Sequence, residues 1–407
     1  MRLRLQYAIF GLLATLVGMA TGHLVASLMK PASSPVLAVG SEVIDLTPTP
    51  MKEWAIRQFG SNDKPILIGS VLLGVLVLAA VAGVLTRRRF AVGATILVAL
   101  VGVAAAAAMS RPAAEVTDLL PSLLTAVVAV AALWWLDRAA RTGTVLRSSS
   151  SAAGDEPSGP TRRGVVITMG VVAAAAALMG TAGRVIGKLR ARPEDVTLPA
   201  AAEKAPALPK GIENQVPGMS AFRTPIEDFY RVDTRLDTPI ISADDWTLTI
   251  DGDVEKELTF TFDDLLAMPL IERDITLTCV SNSVGGPYVG AARWIGVRLT
   301  DLLDLAGVGS KADQILSTDF EGMTISTPLE LATDGRDAMI ALGMNGEALP
   351  REHGFPARMV VPGLYGFISA TKWVTRLTLT TYAEKQAYWT KKDWATDAPI
   401  KISARID

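Results

Sequence analysis

The side chain whose type and setting could do chemistry is Cys279, the only cysteine among 407 residues. A lone cysteine ordinarily packs as a small hydrophobe. The run LTCVSNSVGGPYVG argues for more. It sets Cys279 at the end of the alternating stretch ITLTC (275–279) and at the mouth of a glycine-rich loop. There Gly285, Gly286 and Gly290 let backbone come close to a ligand. The chain has two histidines, His23 in an apolar stretch and His353 in REHGFPAR. One cysteine excludes an intrachain disulfide and a cysteine-rich zinc or iron–sulfur site. Two histidines exclude a multi-haem b-type membrane cytochrome, and covalent haem lacks its C-x-x-C-H motif. The 39 Lys and Arg against 41 Asp and Glu give a net charge of −2 without a basic patch, so nothing supports nucleic-acid binding.

The elements that must position Cys279 follow a strongly apolar first half. Half of all residues are hydrophobic and the mean hydropathy is +0.33, too apolar for an ordinary soluble protein. Five stretches reach the length of about 20 residues that a bilayer-crossing helix needs. They are 7–29, 65–85, 90–109, 119–136 and 164–186. Trp134 and Trp135 close the fourth, where interfacial aromatics are expected. Arg2, Arg4, Arg87, Arg88, Arg89, Arg138, Arg141, Arg147, Arg162 and Arg163 fall on one set of alternate segments. The opposite loops hold Lys30, Lys52, Arg57, Lys64 and Arg111. Positive charge gathers on the cytoplasmic side, so the N-terminus is expected there and the region after the fifth span outside. Arg184, Lys188, Arg190 and Arg192, just past that span, run against this distribution.

The expected organisation is a membrane region over 1–187, a linker over 188–219 and a globular domain over 220–407. RSSSSAAGDEPSGPTRR (147–163) reads as a flexible cytoplasmic linker, and the proline-spaced 192–211 as a second one. WTLTIDG (246–252) reads as a strand ending in a turn, LTFTFDDLLAM (258–268) as a strand entering a short helix, and LTDLLDLAGV (299–308) as a helix. ARMVVPG and WVTRLTLTTY read as late strands. Strands and short helices mix without a regular βαβ rhythm, which points to an α+β domain behind an all-α transmembrane region.

From about Phe222 to Trp394 the chain resembles the molybdopterin-binding domain of the sulfite oxidase family. The resemblance rests on FYRVDT (229–234), WTLTIDG, TLTCVSN (276–282), ARWIGVRLTDLL (292–303), MNGEALPREHGFPARMVVPG (344–363), TKW (371–373) and YWTKKDW (388–394). It implies a molybdenum–molybdopterin cofactor with Cys279 as the thiolate ligand to the metal, a soft donor that must be deprotonated to bind. It implies that His353 and Arg358 hold the pterin and its phosphate, with Lys372 near the family's late cofactor-binding lysine and Asn282 at the place of a loop asparagine. Arg231 aligns with an arginine that binds anionic substrate in sulfite oxidases.

The resemblance also departs from the family. Ser283 and Val284 stand where sulfite oxidases carry arginines after C-x-x-N, and Trp394 stands where they carry an active-site tyrosine. An indole can donate a hydrogen bond but cannot accept one. APIKISARID (398–407) resembles the first strand of the family's dimerisation domain, which is expected to be absent. The implied function is a membrane-anchored enzyme performing two-electron oxygen-atom transfer on a small-molecule substrate. The alternatives are a sulfoxide reductase of the periplasmic methionine-sulfoxide type and a non-catalytic membrane-tethered binding module. Without haem or an iron–sulfur cluster in the chain, a separate electron acceptor or donor, a cytochrome or a quinone, is expected. TRRGVVITMG (161–170) places Arg162 and Arg163 directly before the fifth span, as a twin-arginine export signal of a bacterial cell membrane would.

Overall fold

A computed structural model describes residues 2–59, 63–111, 114–149, 162–190, 196–209, 220–233 and 235–403. The expected linker over 147–163 lies largely outside the described residues, as does the second half of the linker expected over 188–219. The chain divides into two compact units, Met1–Arg192 with Arg235–Asp237, and Pro193–Thr234 with Thr238–Asp407.

The first unit is helical: α1 (Arg2–Leu28), α2 (Pro35–Leu46), α3 (Thr49–Phe59), α4 (Asp63–Thr86), α5 (Phe90–Met109), α6 (Leu120–Ser149) and α7 (Arg162–Arg190). Among the described residues five segments are apolar and long enough to cross a membrane: Leu3–Leu28, Lys64–Thr86, Phe90–Met109, Val116–Arg141 and Arg163–Gly187. These coincide with the five stretches read from hydropathy. The helices α2 and α3, between the first two, had no such signal, being too short to span. Small residues set the packing. A Cβ added at Gly11 of α1 would collide with the carbonyl of Ala79 in α4, and one at Gly83 with the carbonyl of Tyr7. Backbones in direct contact are what small residues at helix crossings permit. Asp137 of α6 is buried, and it is satisfied by Tyr7 Oη at 3.0 Å and Arg141 Nε at 2.7 Å. Arg141 also donates to the Thr86 carbonyl at 3.3 Å, tying α1, α4 and α6 at one end.

The second unit contains β1 (Thr247–Gly252), β2 (Leu258–Thr261), α8 (Phe262–Ala267), β3 (Leu270–Thr278), β4 (Val289–Arg298), α9 (Leu299–Ala306), β5 (Gln314–Asp319), β6 (Thr324–Pro328), α10 (Leu329–Thr333), β7 (Met339–Met344), β8 (Glu347–Ala348), β9 (Arg358–Val360) and β10 (Val374–Thr380). One sheet has the order β2-β1-β10-β5-β6, the other β3-β4-β7-β8 with β9 on β7. The strand pairs are antiparallel except β1 with β10. In β1 the alternation read from sequence is realised, with Leu248 and Ile250 buried between outward threonines. All six residues of β7 are buried, so it is the spine of its sheet and shows no alternation. The buried indoles of Trp246, Trp294 and Trp373 each donate to a backbone carbonyl, of Val374, Ile275 and Arg351. That pairing is what makes their burial favourable.

Residues 196–209, expected as linker, lie along β3. Ala202 N donates to the Leu270 carbonyl at 2.9 Å and Glu272 N to the Glu203 carbonyl at 2.8 Å. The Glu203 carboxylate pairs with Arg273 and Arg298. Proline spacing suggested an unattached segment, but the edge of β3 supplies backbone partners that composition does not reveal.

Candidate functional site

Strand β3 ends at Thr278, so Cys279 leaves the sheet where the β3–β4 connection begins. Cys279 N donates to the Tyr288 carbonyl at 3.0 Å, closing the base of the loop. Inside it, Asn282 N donates to the Cys279 carbonyl at 3.0 Å and Asn282 Oδ1 accepts from Tyr288 N at 2.8 Å. Asn282 therefore holds the loop from within. Gly285 sits at φ +74°, a left-handed conformation that favours glycine. A Cβ on Gly286 would stand 2.7 Å from Asn282 Oδ1, too close to keep that contact. The thiol is a free cysteine, 9% exposed.

A second group of residues comes from the β8–β9 connection and the start of β10. His353, Arg358 and Lys372 converge because Arg358 and Lys372 form a β-bridge and Gly354, at φ +117°, turns the chain beside them. A Cβ at Gly354 would meet Arg358 Cβ at 2.9 Å and Lys372 Cα at 3.3 Å. Arg358 is buried on the face of Trp294, 5.0 Å from the ring centroid, and donates from Nη1 to the His353 carbonyl at 3.0 Å. Its Nε is buried with no hydrogen-bond partner among the described residues. Burial lowers its pKa to about 10. His353 is buried edge-on to Phe229, and its Nε2 likewise has no hydrogen-bond partner among the described residues. Burial, with Arg358 and Lys372 nearby, pushes it down to about 4, and the backbone of Ile226 bonds the ring. A neutral imidazole bonded on one nitrogen offers the other as an acceptor.

Lys372 Nζ donates to Asp233 Oδ2 at 2.7 Å, and burial lowers its pKa to about 8 against the opposing pull of Asp233. Arg231 Nε reaches the same oxygen at 2.8 Å, while Arg231 Nη1 donates to Thr238 Oγ1 at 2.8 Å. Arg231, expected to receive an anionic substrate, is thus engaged by a carboxylate of its own chain. Between the two groups lies Tyr230, stacked on Phe229. Burial raises its phenol pKa, and both Arg358 and Cys279 act on it electrostatically. Gly366 closes this side: a Cβ there would lie 3.8 Å from the Thr278 carbonyl and 3.9 Å from Tyr230 Oη. The neighbouring Phe367 packs on Trp394 (5.0 Å between centroids), and Trp394 on Trp389 (4.3 Å). Trp394 is therefore part of an aromatic stack built on the segment that backs the Cys279 strand end.

Sequence reasoning missed Asp233 and Tyr230. Asp233 had a signal: two residues after Arg231 in an extended segment, it falls on the same side. Tyr230 had none, since a tyrosine after phenylalanine reads equally well as core.

The buried donor set suits a group that is anionic at one end and rich in N–H and acceptor atoms at the other. The Arg358 guanidinium with its open Nε, and the Lys372 ammonium, match a phosphate. The open His353 Nε2 matches a ring N–H, as a pterin carries. Comparison with known proteins agrees. Residues 235–389 match the oxidoreductase molybdopterin binding domain. Mitochondrial sulfite oxidase of Drosophila melanogaster is 34% identical over 202 residues, 44% of this chain and 34% of that protein. The NADH nitrate reductase of Solanum lycopersicum is 34% identical over 199 residues, 42% of this chain and 22% of that protein. The sulfane dehydrogenase SoxCD of Paracoccus pantotrophus aligns at 30% identity over 43% of this chain and 47% of that chain, with a TM-score of 0.38. The chain thus spans about a third of the sulfite oxidase and about a fifth of the nitrate reductase. The sequence likeness supports a molybdopterin-binding domain within the second unit.

Proposed function

We propose that the chain is a membrane-anchored molybdenum–molybdopterin oxidoreductase acting on a small substrate. The reading is carried by one observation: the buried His353 and Arg358, each with a nitrogen unmet among the described residues, converge with the Lys372 ammonium in the same domain as a thiol at a strand end. In this reading Cys279 is the protein's thiolate ligand to the metal. Asn282 keeps the Cys279 loop closed, and His353, Arg358 and Lys372 hold the pterin and its phosphate. Trp394 and Arg231 border the substrate end. The bound group supplies two-electron oxygen-atom transfer. What remains falls to the chain's own residues. His353, neutral near pH 7, presents an acceptor, and Arg358 stays charged and fixed over Trp294. The aromatic stack of Phe367, Trp389 and Trp394 excludes water from one side.

The five apolar helices of the first unit anchor the chain, with the N-terminus in the cytoplasm and the second unit outside. Electrons pass to or from a separate cytochrome or quinone. Metal analysis of the full-length protein purified in detergent tests the reading. About one molybdenum and one pterin per chain are expected, with the metal reducible by two electrons. Protein made with ample molybdate that holds neither refutes it and favours a binding module.

A further inference from the structure

Asp233 is the residue that no motif assigned and that the structure places at the centre of the site's charge. Its side chain is 6% exposed and takes two cations on one oxygen, Arg231 at 2.8 Å and Lys372 at 2.7 Å. Arg231 is further held by Thr238 and is about a third exposed on its open side. A guanidinium with one donor on a buried carboxylate and another on a hydroxyl has its charge and much of its fork committed.

The charges around the pocket can be counted. Arg231, Lys372 and Arg358 bring three positive charges and Asp233 removes one, while the half-exposed Glu352 carboxylate stands 3.9 Å from His353 Nε2 and adds no cation. His353 is neutral at pH 7, because burial and the neighbouring cations hold it down. The two remaining positive charges match a phosphate, which carries about −1.5 to −2 at neutral pH. Nothing is then left over for a substrate anion. The loop that continues from the Cys279 strand end, residues 280–287, is VSNSVGGP and contains neither lysine nor arginine. Val284 on that loop is 64% exposed, offering an apolar surface where an anion would need a donor. Phe367, beside the Gly366 that backs Thr278, continues into the stack with Trp394 and Trp389.

We propose that Asp233 is the specificity-determining residue of this site: by neutralising Arg231 it makes the pocket a receptor for an uncharged oxo compound, a sulfoxide or an N-oxide, rather than for an oxyanion. The inference rests on the molybdopterin reading above. With a sulfoxide the S–O bond breaks, the oxygen leaves as water with two protons, and two electrons enter from an external low-potential donor. In the assay that donor is a reduced viologen dye. Asp233 takes no part in the bond changes. It withholds Arg231 from a negative ligand, which would place a second negative charge beside the Asp233 carboxylate.

The test uses the full-length, molybdenum-loaded protein in detergent, as wild type, Asp233→Asn and Asp233→Glu. Sulfate binding is measured by titration calorimetry, independently of turnover. KM and kcat are measured for dimethyl sulfoxide with reduced methyl viologen, and for sulfite with ferricyanide. Wild type should bind sulfate weakly and favour the sulfoxide in kcat/KM. Asp233→Asn should tighten sulfate and lower the sulfite KM by roughly tenfold, the size expected when a partly buried charge pair is uncoupled. With rates taken per bound molybdenum, the ratio of kcat/KM for sulfite to that for dimethyl sulfoxide should rise by about tenfold, because an uncharged ligand responds less to the net charge. Asp233→Glu keeps the charge and should behave as wild type. Unchanged sulfate binding in a loaded Asp233→Asn protein overturns the proposal. So does a wild type that binds sulfate tightly or favours sulfite, a result that needs no variant to fold. Absence of molybdenum from every form refutes the oxidoreductase reading and this inference with it, whereas loaded protein indifferent to Asp233 refutes this inference alone.

Discussion

Arg358→Met should make the cofactor-free protein more stable while abolishing its hold on the cofactor. The guanidinium is buried, Nε has no hydrogen-bond partner among the described residues, and burial pulls its pKa well below the ordinary arginine value, to about 10. A fall of that size corresponds to roughly 3 kcal/mol against the charged form, at about 1.4 kcal/mol per tenfold. The folded value lies below the unfolded one for a cation, so the penalty is fully present below about pH 10 and disappears only above the unfolded arginine value. At pH 7 the wild type therefore carries all of it. Methionine removes the charge at similar length, but it also loses the hydrogen bond to the His353 carbonyl, worth about 1 kcal/mol. The contact with Trp294 goes too, worth about 1 kcal/mol. The net is a gain of about 1 kcal/mol, or roughly 2–4 °C in Tm for a domain of this size. The assay is thermal unfolding of full-length protein from a host unable to make molybdopterin, followed by tryptophan fluorescence, beside metal analysis of the same variant from a competent host. A lower Tm in the cofactor-free variant would refute the reasoning that an uncompensated charge is held there for a ligand. Full molybdenum occupancy in Arg358→Met would show that the phosphate binds elsewhere.

Cys279→Ser replaces a soft thiolate by a hydroxyl that stays protonated, so turnover should fall below detection while unfolding changes by less than about 1 kcal/mol; normal activity removes Cys279 as the ligand. Lys372 has a folded pKa of about 8 against 10.5 when exposed. As pH rises from about 8 to 10.5 the unfolded chain holds the extra proton, so the cofactor-free protein should gain stability in that window. The loaded protein should release cofactor faster there as the charge facing the phosphate is lost, and Lys372→Met should flatten both trends. Gly290→Ala would put a Cβ 2.7 Å from the Phe229 ring, which stacks on Tyr230 and meets His353 edge-on. A cost of about 1–3 kcal/mol and reduced cofactor content are expected, read by unfolding and metal analysis. Arg162→Lys with Arg163→Lys keeps both charges but should leave the second unit protected from protease added to spheroplasts, if export uses the twin-arginine route; digestion as in wild type refutes that route.

The five apolar stretches were legible because length and uniform apolarity are local properties, and a helix of about 20 such residues is detected without knowing its neighbours. The place of Cys279 was legible for the same kind of reason. Alternation in ITLTC marks a strand and the glycines after it mark a loop, so the thiol had to stand at a strand end. The resemblance carried by HGFPAR and TKW implied that His353, Arg358 and Lys372 act together, and β9 and the approach to β10 bring them together. The state of those residues was decided by tertiary structure. That Arg358 lies on Trp294, 64 positions earlier in the chain, depends on the register of β4 against β7 and of β7 against β9. That Lys372 and Arg231 share the Asp233 carboxylate depends on segments 139 residues apart meeting, and no local periodicity encodes such a contact. The attachment of residues 196–209 to β3 was hidden likewise, since backbone donors and acceptors are the same in every sequence and only the position of a neighbouring edge decides which are satisfied. Residue types thus showed what chemistry was available, and the fold decided which charges remain for a ligand, because electrostatic strength depends on burial and on partners brought from distant parts of the chain.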